Sequence, residues 1–136
     1  MGNKLESNKS TVTGEKMNQN VVRVIKGSIF AIVISLILLL IYASVLTYTS
    51  ITETTMQPVV ITISGISILI GSSISSFKIK KQGMLNGALV GLIYMLCIYV
   101  LSSMIVVGFT IDTMSLIMMA VGIIAGMIGG IIGVNL

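Results

Sequence analysis

Histidine is absent from these 136 residues, and cysteine and proline occur once each, as Cys97 and Pro58. Without histidine the chain lacks the commonest general base and the commonest metal ligand. A single cysteine excludes an intrachain disulfide. Charge is scarce as well: 9% of residues are Asp, Glu, Lys or Arg, against about 25% in a soluble domain. So few charges cannot cover a water-facing surface.

The scarcity is uneven. No Asp, Glu, Lys or Arg falls within the segments 27–48, 58–77, 84–107 and 113–134. Proton- and ion-coupled transporters place ionisable groups at mid-membrane, so this absence argues against a proton relay. No nucleophile–base pair, carboxylate dyad or phosphate loop is visible. The glycines match neither a Walker nor a dinucleotide motif, because no strand precedes them and no Lys-Ser/Thr follows. The expectation is a non-enzymatic protein without cofactor or metal.

What remains is apolar. Hydrophobic residues make up 55% of the chain and the mean hydropathy is +1.10, so the natural solvent for most of it is lipid. The length suits one bundle and no second domain. The expected fold is an all-α integral membrane protein, with four transmembrane helices in an up-down antiparallel bundle at about 27–48, 58–77, 84–107 and 113–134. At ~1.5 Å per residue the first segment alone reaches about 33 Å, enough for a ~30 Å hydrocarbon core. It is longer than a signal-peptide core and three more spans follow, so it reads as a retained helix.

Ahead of it, residues 1–20 are polar and too poor in apolar side chains to offset chain entropy. They read as a disordered tail, with the transmembrane domain at 21–136. The start resembles a myristoylation pattern, but Glu6 stands where Ser or Thr is required. The connections are short, with Glu53 in the first, Lys78 to Gly83 forming the second and Gly108 to Asp112 the third. Short connections favour antiparallel neighbours.

The net charge is +4, and its placement sets the topology. Lys4, Lys9, Lys16, Arg23 and Lys26 precede the first span; Lys78, Lys80 and Lys81 separate the second from the third. With four spans these two regions share a side, and the positive-inside rule makes both termini cytoplasmic. No aromatic residues interleave with the basic ones, so nucleic acid is not expected. Arg23, Lys26, Lys78, Lys80 and Lys81 read as topology signals and contacts to anionic lipid headgroups, each worth about 1 kcal/mol near the surface.

Small residues form stripes. Gly83, Gly87 and Gly91 repeat every four residues, as do Gly122, Gly126 and Gly130, with Gly129 and Gly133 widening that face. Gly27, Ala31 and Ser35 form a lesser stripe, and Ser67, Gly71 and Ser75 another. In lipid, helix association depends on close backbone approach. The stripes read first as packing within the chain, and second as a surface for another subunit or a partner membrane protein. The serines of the second span read as hydrogen bonding to backbone, with a polar substrate path as the alternative. Asn86, one turn into the third span, reads as an interfacial capping or cross-helix residue, or as a headgroup ligand. Met114, Met118, Met119 and Met127 could offer thioethers to Cu(I), but without histidine they read as apolar filler. A faint repeat relates Lys26-Gly27-Ser28 to Asn86-Gly87-Ala88, and the small-residue ends of spans two and four to each other.

Two segments are distinctive: Lys80-Lys81-Gln82-Gly83-Met84-Leu85-Asn86-Gly87-Ala88-Leu89-Val90-Gly91-Leu92-Ile93-Tyr94, and Gly122-Ile123-Ile124-Ala125-Gly126-Met127-Ile128-Gly129-Gly130-Ile131-Ile132-Gly133-Val134-Asn135. Together they resemble the YrzE-like family of small four-span membrane proteins of Firmicutes. The resemblance covers spans one to four and omits the polar tail. It implies the fold, the topology and a bacterial plasma-membrane location, and it implies no activity or functional residue. The expected function is that of an accessory subunit or homo-oligomer acting through helix–helix or lipid contacts. The alternative is a small oligomeric transporter or channel.

Overall fold

The computed structural model describes residues 2–50, 52–77, 79, 82–105 and 112–136. They form four helices: α1 (Gly2–Tyr48), α2 (Met56–Ser76), α3 (Gly83–Ile105) and α4 (Thr113–Asn135), with one 3-10 turn at Glu53–Thr55 before α2. All four are long and apolar enough to cross a membrane. Their described apolar lengths fall where the hydropathy places them, within a residue or two at each described end, and residues 106 and 107 of the expected third span lie outside the described residues.

The helix ends follow local chemistry. The Asp112 carboxylate accepts a 2.9 Å bond from the Thr113 N–H and caps α4. Pro58 lies in the first turn of α2, where its missing N–H breaks no ladder bond. α2 stops at Ser76, where Phe77 turns extended. Gln82 takes a left-handed φ of 70° just ahead of α3, and its carbonyl accepts the 3.0 Å bond from the Asn86 N–H.

Residues 2–20 differ from expectation. Instead of a disordered tail they continue α1 as an exposed arm. Once a membrane span has formed, adding a residue needs only propagation, because nucleation is already complete. No proline interrupts the arm. Its hydroxyls bond back along the helix: Ser10 and Thr11 donate to the Ser7 carbonyl, and Thr13 to that of Lys9. α1 is therefore about 70 Å long, more than twice a ~30 Å hydrocarbon core.

α2 touches α1, α3 and α4, and α3 also touches α1 and α4. Among the described residues α1 and α4 do not meet. α2 and α3 thus form the central pair, flanked by α1 and α4. The least apolar helix is the most buried: the best window of α2 has a mean hydropathy of 1.8 with 33% of its residues buried, against 3.0 and 11% for α1. That is the reverse of a soluble bundle. Large apolar side chains such as Phe30, Leu40, Leu89 and Ile124 point outward, while Ser28, Ser67, Ser72, Ser76 and Asn86 are buried. In lipid an apolar side chain gains little by turning inward, so fit and hydrogen bonding select the interior.

The centre is Tyr94 of α3, 1% exposed, packed with Ala31 of α1 and Ile68 of α2. Ala125 of α4 and Met95 close around this cluster.

Candidate functional site

The glycine stripes meet one another. A Cβ on Gly87 would lie 2.7 Å from the Gly130 Cα and would strike the Gly126 carbonyl. One on Gly91 would press on Gly122, and one on Gly83 would lie 2.8 Å from the Gly130 carbonyl. As the number rises along α3 the contacted number falls along α4. Gly83, Gly87, Gly91, Gly122, Gly126 and Gly130 are therefore brought together in one contact, α3 against α4, inside the chain.

The neighbouring small residues are used likewise. Gly27 and Gly71 fit α1 to α2: a Cβ on Gly71 would lie 2.5 Å from the Ala31 Cβ and 2.7 Å from the Gly27 carbonyl. Gly129 and Gly133 fit α4 to α2, with a Gly129 Cβ 2.6 Å from the Leu69 carbonyl and a Gly133 Cβ 2.8 Å from the Ser73 Cα. Both the α1–α2 and the α3–α4 contacts therefore close on glycine.

Four serines of α2 divide into two sets. Ser67 donates to the Ile63 carbonyl at 2.8 Å and Ser72 to that of Ile68 at 2.6 Å, both within α2. Ser73 reaches the Gly129 carbonyl at 2.9 Å and Ser76 that of Gly83 at 3.1 Å. The second pair ties α2 to its neighbours, and glycine opposite lets the hydroxyl reach the backbone. This hydroxyl-to-glycine pairing was not legible from the stripes, because it depends on which faces meet.

Asn86 is 4% exposed, inside the bundle and away from the lipid-facing surface. Its Nδ2 has no partner among the described residues, and neither have Ser75 Oγ and Tyr94 Oη. Asn86, Val90 and Tyr94 line the inner face of α3 at steps of four, a second stripe beside the glycines. Arg23 and Lys26 are exposed at the start of the apolar length of α1. Lys78, Lys80 and Lys81 lie outside the described residues.

All these close approaches lie at one end, the end of Lys26, Ser76, Gly83 and Gly133. Toward the other end the residues are bulkier and no described one is buried: burial stops at Ser35 in α1, Ser67 in α2, Tyr94 in α3 and Gly122 in α4. No residue of α1 beyond Ser35 is buried, and Tyr48 is 92% exposed. A cleft of about 340 Å³ opens between α2, α3 and α4, lined by Met56, Val60, Ser64, Tyr94, Met95 and Met118 among others. A second, of about 310 Å³, lies between α3 and α4 past the last glycine contact. Met114 and Met118 line the first cleft, Met118 and Met119 the second, and Met127 neither. Sequence reasoning missed Met56, Met95 and Tyr94 as cleft residues; the spacing of Tyr94 from Asn86 was the available signal. Among the described residues no group of His, Cys, Asp and Glu gathers that could hold a metal ion.

Four apolar helices, an outward-facing apolar surface and a small, polar interior define a multi-pass helical membrane protein. The chain belongs to the family described as protein of unknown function (DUF3792), whose model matches residues 20–133. The match takes in the apolar lengths of all four helices and leaves out the arm up to residue 19. No curated protein and no solved structure matches the chain.

Proposed function

We propose that this is a non-enzymatic protein of a bacterial plasma membrane, an up-down antiparallel bundle with both termini cytoplasmic. We propose further that it acts through contacts in the membrane plane, made by its open half. The falling register between α3 and α4, and that between Gly27–Ala31 and Gly71–Ser75, support antiparallel neighbours. The placement of all eight basic residues on two regions of one side supports the orientation.

One observation carries the functional reading. The glycine and serine faces are spent within the chain at the basic end, so the surface left for a partner is the open half. That surface comprises the α2–α3–α4 cleft and the α1 face carrying Leu40 and Ile41. An accessory subunit or a second copy would seat there, not on the glycines. A transport path along the serines is not favoured: Ser67 and Ser72 are buried and bonded to their own helix.

The test is photo-crosslinking in native membranes, with a benzophenone side chain at Val60, at Ile117 or at Ile128. Val60 and Ile117 border the cleft; Ile128 is exposed at the glycine-packed end. A specific adduct from Val60 and Ile117 but not Ile128 supports the reading and names the partner. Adducts only from Ile128 would overturn it. Orientation is read separately, by alkylating single cysteines at Ser10 or Thr54 in a Cys97→Ala background with a membrane-impermeant reagent. In intact cells only the Thr54 variant should react.

A further inference from the structure

The arm of α1 is the largest feature that the bundle leaves unused. Leu5, Lys9, Val12, Lys16, Arg23 and Lys26 follow one another at steps of four, three, four, seven and three. On a continuous helix such steps keep side chains on one face, here within an arc of about 100°. All six are exposed, Leu5 by 69% and Val12 by 49%. The stripe therefore carries four positive charges, no negative one, and two apolar side chains, Leu5 ahead of the charges and Val12 between Lys9 and Lys16. Glu6 and Glu15 fall on its opposite flanks.

The pattern selects its partner. A second copy pairing through this stripe would set Lys9, Lys16 and Arg23 against like charges, which is destabilising. An anionic membrane surface is complementary, and a basic stripe with interspersed apolar residues is the pattern of helices that lie in that interface. The surface is also within reach, because the same stripe runs on into Arg23 and Lys26, where the apolar length of α1 begins. Bending α1 toward the face that carries these two side chains brings Lys16 and then Lys9 to the headgroups. Asn18 and Asn20, which hold a helix weakly, lie at the junction.

We propose that the arm docks by this stripe on anionic lipid headgroups of the membrane that α1 leaves, with Leu5 and Val12 inserted at the acyl boundary. The proposal rests on the reading of α1 as a membrane span. It does not rest on which side of the membrane the arm occupies.

The experiment uses the full chain, as Val12→Cys in a Cys97→Ala background, labelled with a polarity-sensitive fluorophore. It is reconstituted in vesicles of phosphatidylcholine alone or with phosphatidylglycerol. Anionic vesicles should shift the emission to the blue and allow quenching by lipid-borne nitroxide. Raising salt to about 1 M, where the Debye length is ~3 Å, should reverse both. Lys9→Gln and Lys16→Gln should each lower the docked-to-free ratio about fivefold, the equivalent of one basic contact. A label on the opposite side of the arm, at Ser10→Cys, should stay accessible to an aqueous quencher throughout. Identical emission in neutral and anionic vesicles would overturn the proposal, as would energy transfer between arms that rises with protein density. Both leaflets carry the anionic lipid, so a reversed orientation in cells would leave this result unchanged.

Discussion

Gly87 and Gly126 face each other across the α3–α4 contact so closely that a methyl group on either would strike the other's carbonyl oxygen. The relation is reciprocal, and it recurs one turn away between Gly83 and Gly130. This contact is therefore backbone on backbone. A rigid carbonyl cannot step aside as a side-chain end can, so the fit has little tolerance.

Alanine at Gly126 should cost about 1–3 kcal/mol, the usual range for overpacking. Gly126→Ile should abolish the α3–α4 contact altogether, through the fold itself and with no partner required. Gly65 is the control: a Cβ there meets nothing within 4 Å. Gly65→Ala should stabilise α2 by about 0.5–1 kcal/mol, because glycine is the poorer helix former. Unfolding by denaturing detergent in mixed micelles measures all three. Equal losses at Gly65 and Gly126 would contradict the register.

The Ser73 hydroxyl crosses to the Gly129 carbonyl, whereas that of Ser67 stays on its own helix. Ser73→Ala should therefore lose about 0.6 kcal/mol, the average for an interhelical bond in a membrane protein. Ser67→Ala should change stability by less than that. The same unfolding titration ranks the two, and the reverse order would place the α2–α4 contact elsewhere on α2.

Tyr94 contributes shape to the core while its hydroxyl has no partner among the described residues. An unsatisfied buried hydroxyl is a liability of about 1–3 kcal/mol. Tyr94→Phe should hence be neutral or stabilising, and Tyr94→Ala should cost about 3 kcal/mol or more through the cavity it leaves. If Tyr94→Phe proves destabilising, the hydroxyl is bonded to something that enters the cleft beside it.

Among the described residues the arm packs on nothing in the bundle, being exposed from residue 2 to residue 19. Deleting residues 2–16 should leave membrane insertion and unfolding of the bundle unchanged within about 0.5 kcal/mol, as for surface changes remote from packed groups. A larger loss would mean that the arm folds back on the bundle.

Much of this architecture is legible in the residues alone. The four spans follow from where charge is missing, since a charged side chain at mid-bilayer is costly wherever the helix packs. Pro58 marks the start of the second helix by chemistry that needs no neighbours. Stripes of small residues at steps of four say that backbones will approach closely. Polar residues at 1–20 say that this segment joins no core. That residues 2–20 extend α1 as a helix is a consequence of the span they are attached to.

Pairing was decided only by tertiary structure. Steps of four make Gly83, Gly87 and Gly91 a flat face, but any other flat face would suit it. The choice of Gly122, Gly126 and Gly130, with Gly129 and Gly133 left to α2, depends on the rotation of α4 about its axis. The same holds for Ser73 and Ser76, whose hydroxyls find carbonyls only because glycine lies opposite. It holds also for the open half, since bulky side chains hold neighbouring helices apart only where they face each other. Composition and spacing thus determined that this chain carries four helices long and apolar enough to cross a membrane, and that it packs through its smallest residues. Helix rotation, a property of the whole bundle and of no single segment, decided which small residues meet and where a cleft is left.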